Sequence, residues 1–196
     1  MLLRSIAARA ATTVLFAVSL PVGAAIIDIN QPNGDPDMAA FWQTGLAQSF
    51  TAISSNISGA GILLYEEPIE PITISLWSAL PNAGGVMLAS SAGPSPRGGW
   101  FDVFWSPVAT TPTVSYYLLF ESDSDPGGVA GDVFNPYSGG NLFANAGFQP
   151  FPDYDFAFRT YTTPDNQAVP VPGGIWLMGC GLAVLTALRR LQRTPH

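Results

Sequence analysis

Ile72-Thr73-Ile74-Ser75-Leu76-Trp77 alternates apolar and polar residues with period two as far as Leu76. Successive side chains of a strand leave opposite faces, so Ile72, Ile74 and Leu76 point toward a core while Thr73 and Ser75 point away. Turn chemistry closes the stretch on both sides. The proline-broken acidic loop Glu66-Glu67-Pro68-Ile69-Glu70-Pro71 precedes it, and Pro81-Asn82-Ala83-Gly84-Gly85 follows. The segment therefore reads as a β-strand with one buried face.

The same reading extends outward in both directions. Gln48 to Ile53 is a strand with Phe50 and Ala52 on one face and Ser49, Thr51 and Ile53 on the other, and Ser58 to Tyr65 is a second, opened by glycine. Val86 to Ser90 is a short strand. Trp100 to Trp105 puts Phe101, Val103 and Trp105 on one side and Trp100, Asp102 and Phe104 on the other. Ser115 to Phe120 is apolar on both sides and is expected to be central. Tyr154 to Tyr161 alternates again, with Tyr154, Phe156, Phe158 and Thr160 in one row and Asp155, Ala157, Arg159 and Tyr161 in the other. Pro32 to Asp37 is expected to be a turn that cannot continue the loosely alternating run Ile26 to Gln31, and Ser122 to Asn141 a long polar connection. About eight strands and no sustained 3.6-residue period outside the termini predict an all-β fold, an antiparallel β-sandwich spanning residues 25–163.

The two ends of the chain read as targeting segments. Arg4 and Arg9 precede the apolar run Ala10 to Val22 and the small residues Gly23, Ala24 and Ala25, the pattern of a secretory signal peptide covering residues 1–24. At the other end, a linker (164–172) holds Val169-Pro170-Val171-Pro172. An uncharged apolar segment, 173–188, follows, and then a basic tail, 189–196, with Arg189, Arg190 and Arg193. Sixteen residues of helix rise about 24 Å, short of the roughly 30 Å hydrocarbon core, and the arginines form a stop that prefers the cytoplasmic side. Its order of turn motif, Gly173-Gly174 entry, Trp176, Gly179-x-Gly181 and terminal Arg-Arg resembles the PEP-CTERM sorting signal that exosortase enzymes process in Gram-negative bacteria. Val171 stands where that family carries its name-giving Glu. The resemblance implies an exosortase-type partner acting at Val169 to Pro172. It also implies a transient anchor in the inner membrane through the helix, and release to the cell envelope or outside. The strands Gln48 to Thr51, Ile74 to Trp77, Tyr116 to Leu118 and Asp155 to Tyr161 look like the jelly-roll domains that accompany such signals.

Charge and rare residues exclude several function classes. Between Ala25 and Pro172 the two arginines Arg97 and Arg159 stand against all fourteen acids of the chain, a net charge of −12, and there is no lysine. Nucleic acid and anionic lipid surfaces need a positive field and are not expected partners. Cys180 is the sole cysteine and lies in the terminal segment, so no disulfide can form within the chain. The sole histidine is His196, beyond that segment, and neither a Ser-His-Asp arrangement nor a His/Cys zinc site can be built in the exported part.

What remains are weaker candidates. Glu66, Glu67, Glu70 and Glu121 supply paired carboxylates of the kind glycoside hydrolysis requires. Three of them sit in a proline-rich loop where solvated charge is the ordinary explanation, so no catalytic residue is assigned. Asp123, Asp125 and Asp132, in a glycine-rich stretch, offer calcium's preferred oxygen ligands but lack the closing glutamate of a calcium loop. Trp42, outside any clear strand, and Trp100, on an outward row, are candidates for stacking on sugar rings, although aromatics in a sandwich first fill core and edges. The sequence thus points to an exported non-enzymatic surface or matrix protein associated with exopolysaccharide. The alternatives are a carbohydrate-binding module and a carboxylate-dependent polysaccharide-active enzyme.

Overall fold

Ile72, Ile74 and Leu76 are completely buried, and their strand pairs on both sides. The computed structural model describes residues 24–65, 71–94, 96, 98–123 and 127–164. The expected signal peptide up to residue 23, the motif Val169 to Pro172, the segment 173–188 and Arg189, Arg190 and Arg193 lie outside the described residues, as do Glu66, Glu67, Glu70, Arg97 and Asp125. No described helix is long and apolar enough to cross a membrane.

Thirteen strands occur among the described residues. They are β1 (Ile26–Gln31), β2 (Asp35–Ala40), β3 (Leu46–Thr51), β4 (Asn56–Leu64), β5 (Ile72–Trp77), β6 (Met87–Gly93) and β7 (Gly99–Ala109), followed by β8 (Ser115–Ser122), β9 (Gly128–Asp132), β10 (Leu142–Ala144), β11 (Gln149–Phe151), β12 (Asp155–Phe156) and β13 (Phe158–Thr162). One sheet runs β11-β10-β3-β8-β5-β6. The other runs β1-β13-β4-β9-β12, with β7 on β4 and β2 on β9. The pairings are antiparallel throughout.

The core lies between the two sheets. Leu46, Phe50, Ile72, Ile74, Leu76, Leu118 and Phe120 come from one, and Ala60, Ile62, Leu64, Phe101, Val103, Phe156 and Phe158 from the other. Phe120 meets Phe156 edge-on, with ring centroids 5.7 Å apart. Each buried Leu, Ile or Phe contributes about 1.5–3 kcal/mol relative to exposure, so the two inward rows carry most of the stabilisation. β8 lies between β3 and β5, and its second apolar face has its own cover. Leu119 packs with Ala47 under Leu80, at the entry to a 3-10 turn, Pro81–Ala83.

Three expectations are corrected. A strand, β2, starts inside the Pro32 to Asp37 cluster. It tolerates Pro36 because β2 pairs only with β9 and its register shifts between Asp35 and Ala39, so no regular ladder bond is required there. The stretch Ser122 to Asn141 contains β9. Its glycines signal close backbone approach rather than a loop: a Cβ on Gly131 would lie 2.6 Å from the Asp155 carbonyl oxygen. The row from Tyr154 to Tyr161 is split at Ala157 into β12, which pairs with β9, and β13, which pairs with β1 and β4. Asp155 is thereby buried together with Phe156, its neighbour on the other row.

Candidate functional site

On the outward face of β4 two positions are glycine, Gly59 and Gly61, and the strands on either side supply what covers them. Arg159 of β13 and Asp102 of β7 both stand in register with Gly61, while Tyr161 and Phe104 both stand in register with Gly59. Strands that flank a common neighbour are about 10 Å apart, too far for most side chains to touch unless the middle strand offers no side chain of its own. Here they close over it. A Cβ on Gly61 would lie 2.1 Å from Asp102 Oδ1, and one on Gly59 2.6 Å from the Val103 carbonyl oxygen.

The roof over Gly61 is a fork. Arg159 Nε donates to Asp102 Oδ1 at 2.7 Å and its terminal nitrogen to Oδ2, while Tyr161 Oη donates to Oδ1 at 2.9 Å. The guanidinium also lies over Trp100, 4.2 Å from the ring centroid. Over Gly59, the rings of Phe104 and Tyr161 meet at 4.8 Å, tilted by 56°. Burial, and then the hydrogen bond to Asp102, push the Tyr161 hydroxyl up to about 12. The bond to Asp102 likewise raises Arg159, holding its guanidinium charged in the fork. With 17% and 21% of their side-chain surface exposed, Arg159 and Asp102 are only partly open to solvent. Phe104 is 53% exposed and presents a ring to it.

Next to this face runs an open groove of about 760 Å³ between the edges of the two sheets. Among the described residues β6 pairs only with β5 and β7 only with β4, so no described strand covers either edge. Trp100, Asp102 and Phe104 line the groove from the outward row of β7, Phe101 and Val103 from the inward row, and Ser91 and Gly93 from β6. The residues β6 contributes to the lining, Ser91, Ala92 and Gly93, are all small, which leaves the groove open. Rings beside a charged fork can stack on a sugar ring and hold its hydroxyls.

The positions singled out from sequence are scattered around this site. Trp100 is half-buried on the outward row, with one ring face under Arg159. Trp42 is 66% exposed in the turn after β2. Glu121 and Asp123 line a separate cleft of about 290 Å³ with Gln43, Thr44 and Thr73. Asp132 is at the far end of β9 from that cleft, because Phe41, which lines it, donates its N–H to Gly127, just before β9 begins. Asp132 Oδ1 instead accepts from Phe134 N at 2.8 Å. Asp123 and Asp132 are thus not brought together, and among the described residues no three His, Cys, Asp or Glu side chains converge on a metal position. Sequence reasoning did not single out Arg159, Asp102, Tyr161 and Phe104. Their rows were visible in the alternation, and Arg159 was visible as one of two cations in an acidic domain. Only the pairing of β13 and β7 around β4 was missing.

No known protein family and no curated protein matches the chain. Among solved structures it is similar to the cysteine protease and lectin-like domains of Cwp84, a surface layer associated protein of Clostridium difficile, at 10% sequence identity and a TM-score of 0.43. That likeness covers 63% of this chain, which spans 33% of the other.

Proposed function

We propose that this chain is an exported, non-catalytic surface or matrix protein with a jelly-roll-like sandwich, and that it associates with extracellular polysaccharide through the face formed by β13, β4 and β7. The observation that carries the reading is the union of the exposed Phe104 ring with the Arg159–Asp102–Tyr161 fork over a glycine floor. Phe104 offers a π-face to the C–H side of a pyranose. The guanidinium N–H groups not engaged by Asp102 donate to ring hydroxyls, and the fork, fixed by its own bonds, needs little ordering on binding. Export and delivery rest on the terminal segments, with Val169 to Pro172 as the processing motif for an exosortase-type enzyme and 173–188 as a temporary membrane anchor.

Affinity electrophoresis through gels containing different polysaccharides tests the binding. The protein should be retarded by at least one polymer, and Phe104→Ala should weaken that interaction about tenfold, the equivalent of about 1.4 kcal/mol for a lost stacking contact. Unretarded migration in every gel would overturn the reading. Mass spectrometry of protein recovered from its host tests the sorting: the C-terminal peptide should end in or near Val169 to Pro172, and chains ending at His196 in most molecules would leave a plain tail anchor.

A further inference from the structure

We infer that the groove between β6 and β7 continues the proposed glycan site and selects a neutral polysaccharide chain, several rings long, over a uronate or sulfated one; this rests on the glycan reading above. Trp100, Asp102 and Phe104 of β7 and Ser91, Ala92 and Gly93 of β6 line the groove, so a polymer stacked on Phe104 can run on along β7 past Trp100 without leaving the surface.

Neutrality follows from the charges around the groove. Asp102 is the lone charged side chain among the described residues lining the groove, and both of its oxygens are already engaged by Arg159 and Tyr161. The charge of Arg159 is already offset by Asp102, so the pair presents no net positive charge to a ligand carboxylate. The wider field is that of a domain carrying −12, which repels a polyanion at low salt. Serine hydroxyls, backbone groups and apolar rings remain, and these suit uncharged hydroxyl-bearing chains.

The test uses the full chain in detergent with gluco-, manno- and galacto-oligosaccharides of two to six rings, and with oligogalacturonates of the same lengths, at low salt. A neutral series should bind with affinity that rises at least about tenfold with length, and the uronates should bind about tenfold more weakly or not at all. Gly93→Leu should abolish the rise with length while keeping affinity for the shortest ligand. A Cβ at Gly93 sits at an ordinary 3.5 Å from the Phe101 ring, so a side chain there starts without strain and projects into the groove beside that ring. Ser91→Leu gives the same readout from a neighbouring position if that variant folds poorly. Uronates binding as well as neutral chains would overturn the selectivity, and an undiminished length dependence in both folded variants would overturn the groove. Absence of binding to every oligosaccharide would instead sink the glycan reading itself.

Discussion

Arg159 and Asp102 are 57 positions apart in sequence, yet the fork they form with Tyr161 sets the local response to pH. The Tyr161 hydroxyl is held at about 12, above the roughly 10 of an unfolded tyrosine. Its contribution to stability is therefore complete below about pH 10 and is lost as pH climbs through 12, since only the folded state holds the proton more tightly. Tyr161→Phe should remove that part of the base sensitivity, read as a smaller fall in urea midpoint between pH 10 and 12. An unchanged fall would mean that the hydroxyl does not donate to Asp102 in solution. A second residue-scale network spans the core. Gln48 of β3 donates to Asp155 Oδ1 at 2.7 Å and accepts from Phe156 N at 2.9 Å, while Tyr137 N donates to Asp155 Oδ2 at 3.0 Å. Gln48→Ala should cost about 3 kcal/mol in urea unfolding, because it strands a buried carboxylate oxygen and a backbone N–H together. Burial raises the Asp155 pKa, partly offset by these hydrogen bonds. The stability it contributes is therefore present below the unfolded carboxylate value and lost as pH rises through the folded one. Gln48→Glu places a second carboxyl there, so that variant should be destabilised at neutral pH and recover as the solution is acidified. Equal stability of variant and parent at pH 7 would count against a shared buried site.

At the scale of elements, β4 matters for what it lacks. Glycine weakens a strand through its entropy and its missing side chain, and two outward glycines in the middle of a sheet are costly unless neighbours use the space. Here β13 and β7 do, with a fork over one and a ring pair over the other. Gly61→Ala should therefore destabilise the protein by about 1–3 kcal/mol, the usual range for overpacking, since its Cβ falls at the Asp102 carboxylate. Gly93→Ala, whose Cβ meets only an ordinary contact, should change stability by less than about 0.5 kcal/mol. Equal urea midpoints for the two variants would show that the fork does not rest on β4. The elements hardest to read were those whose residues argue locally for turns. β2 contains Pro36, and β9 is Gly128-Val129-Ala130-Gly131-Asp132. In both cases pairing decided the conformation over propensity, which is the usual outcome for short strands with weak local preferences.

Across residues 25–172, fourteen acids against two arginines make self-repulsion a global term. The screening length falls from about 30 Å at 0.01 M salt to about 8 Å at 0.15 M. The melting temperature should accordingly rise over that range of sodium chloride. A fall would indicate that the attraction within the Arg159–Asp102 fork outweighs the distributed repulsion.

Alternation in Ile72 to Trp77 and Trp100 to Trp105 was enough by itself to determine strands with defined inward rows, because side-chain direction along a strand depends only on the backbone period. Composition determined the acidic character, and the residue inventory removed histidine and cysteine chemistry from residues 25–172. Neither could say which strands are neighbours. That Gly61 lies between Arg159 and Asp102, that Asp155 turns inward at the Ala157 break to meet Gln48, and that β6 and β7 leave an open groove are long-range facts of pairing. They are fixed by the collective burial of both sheets rather than by any local preference, and so only the tertiary structure decided them.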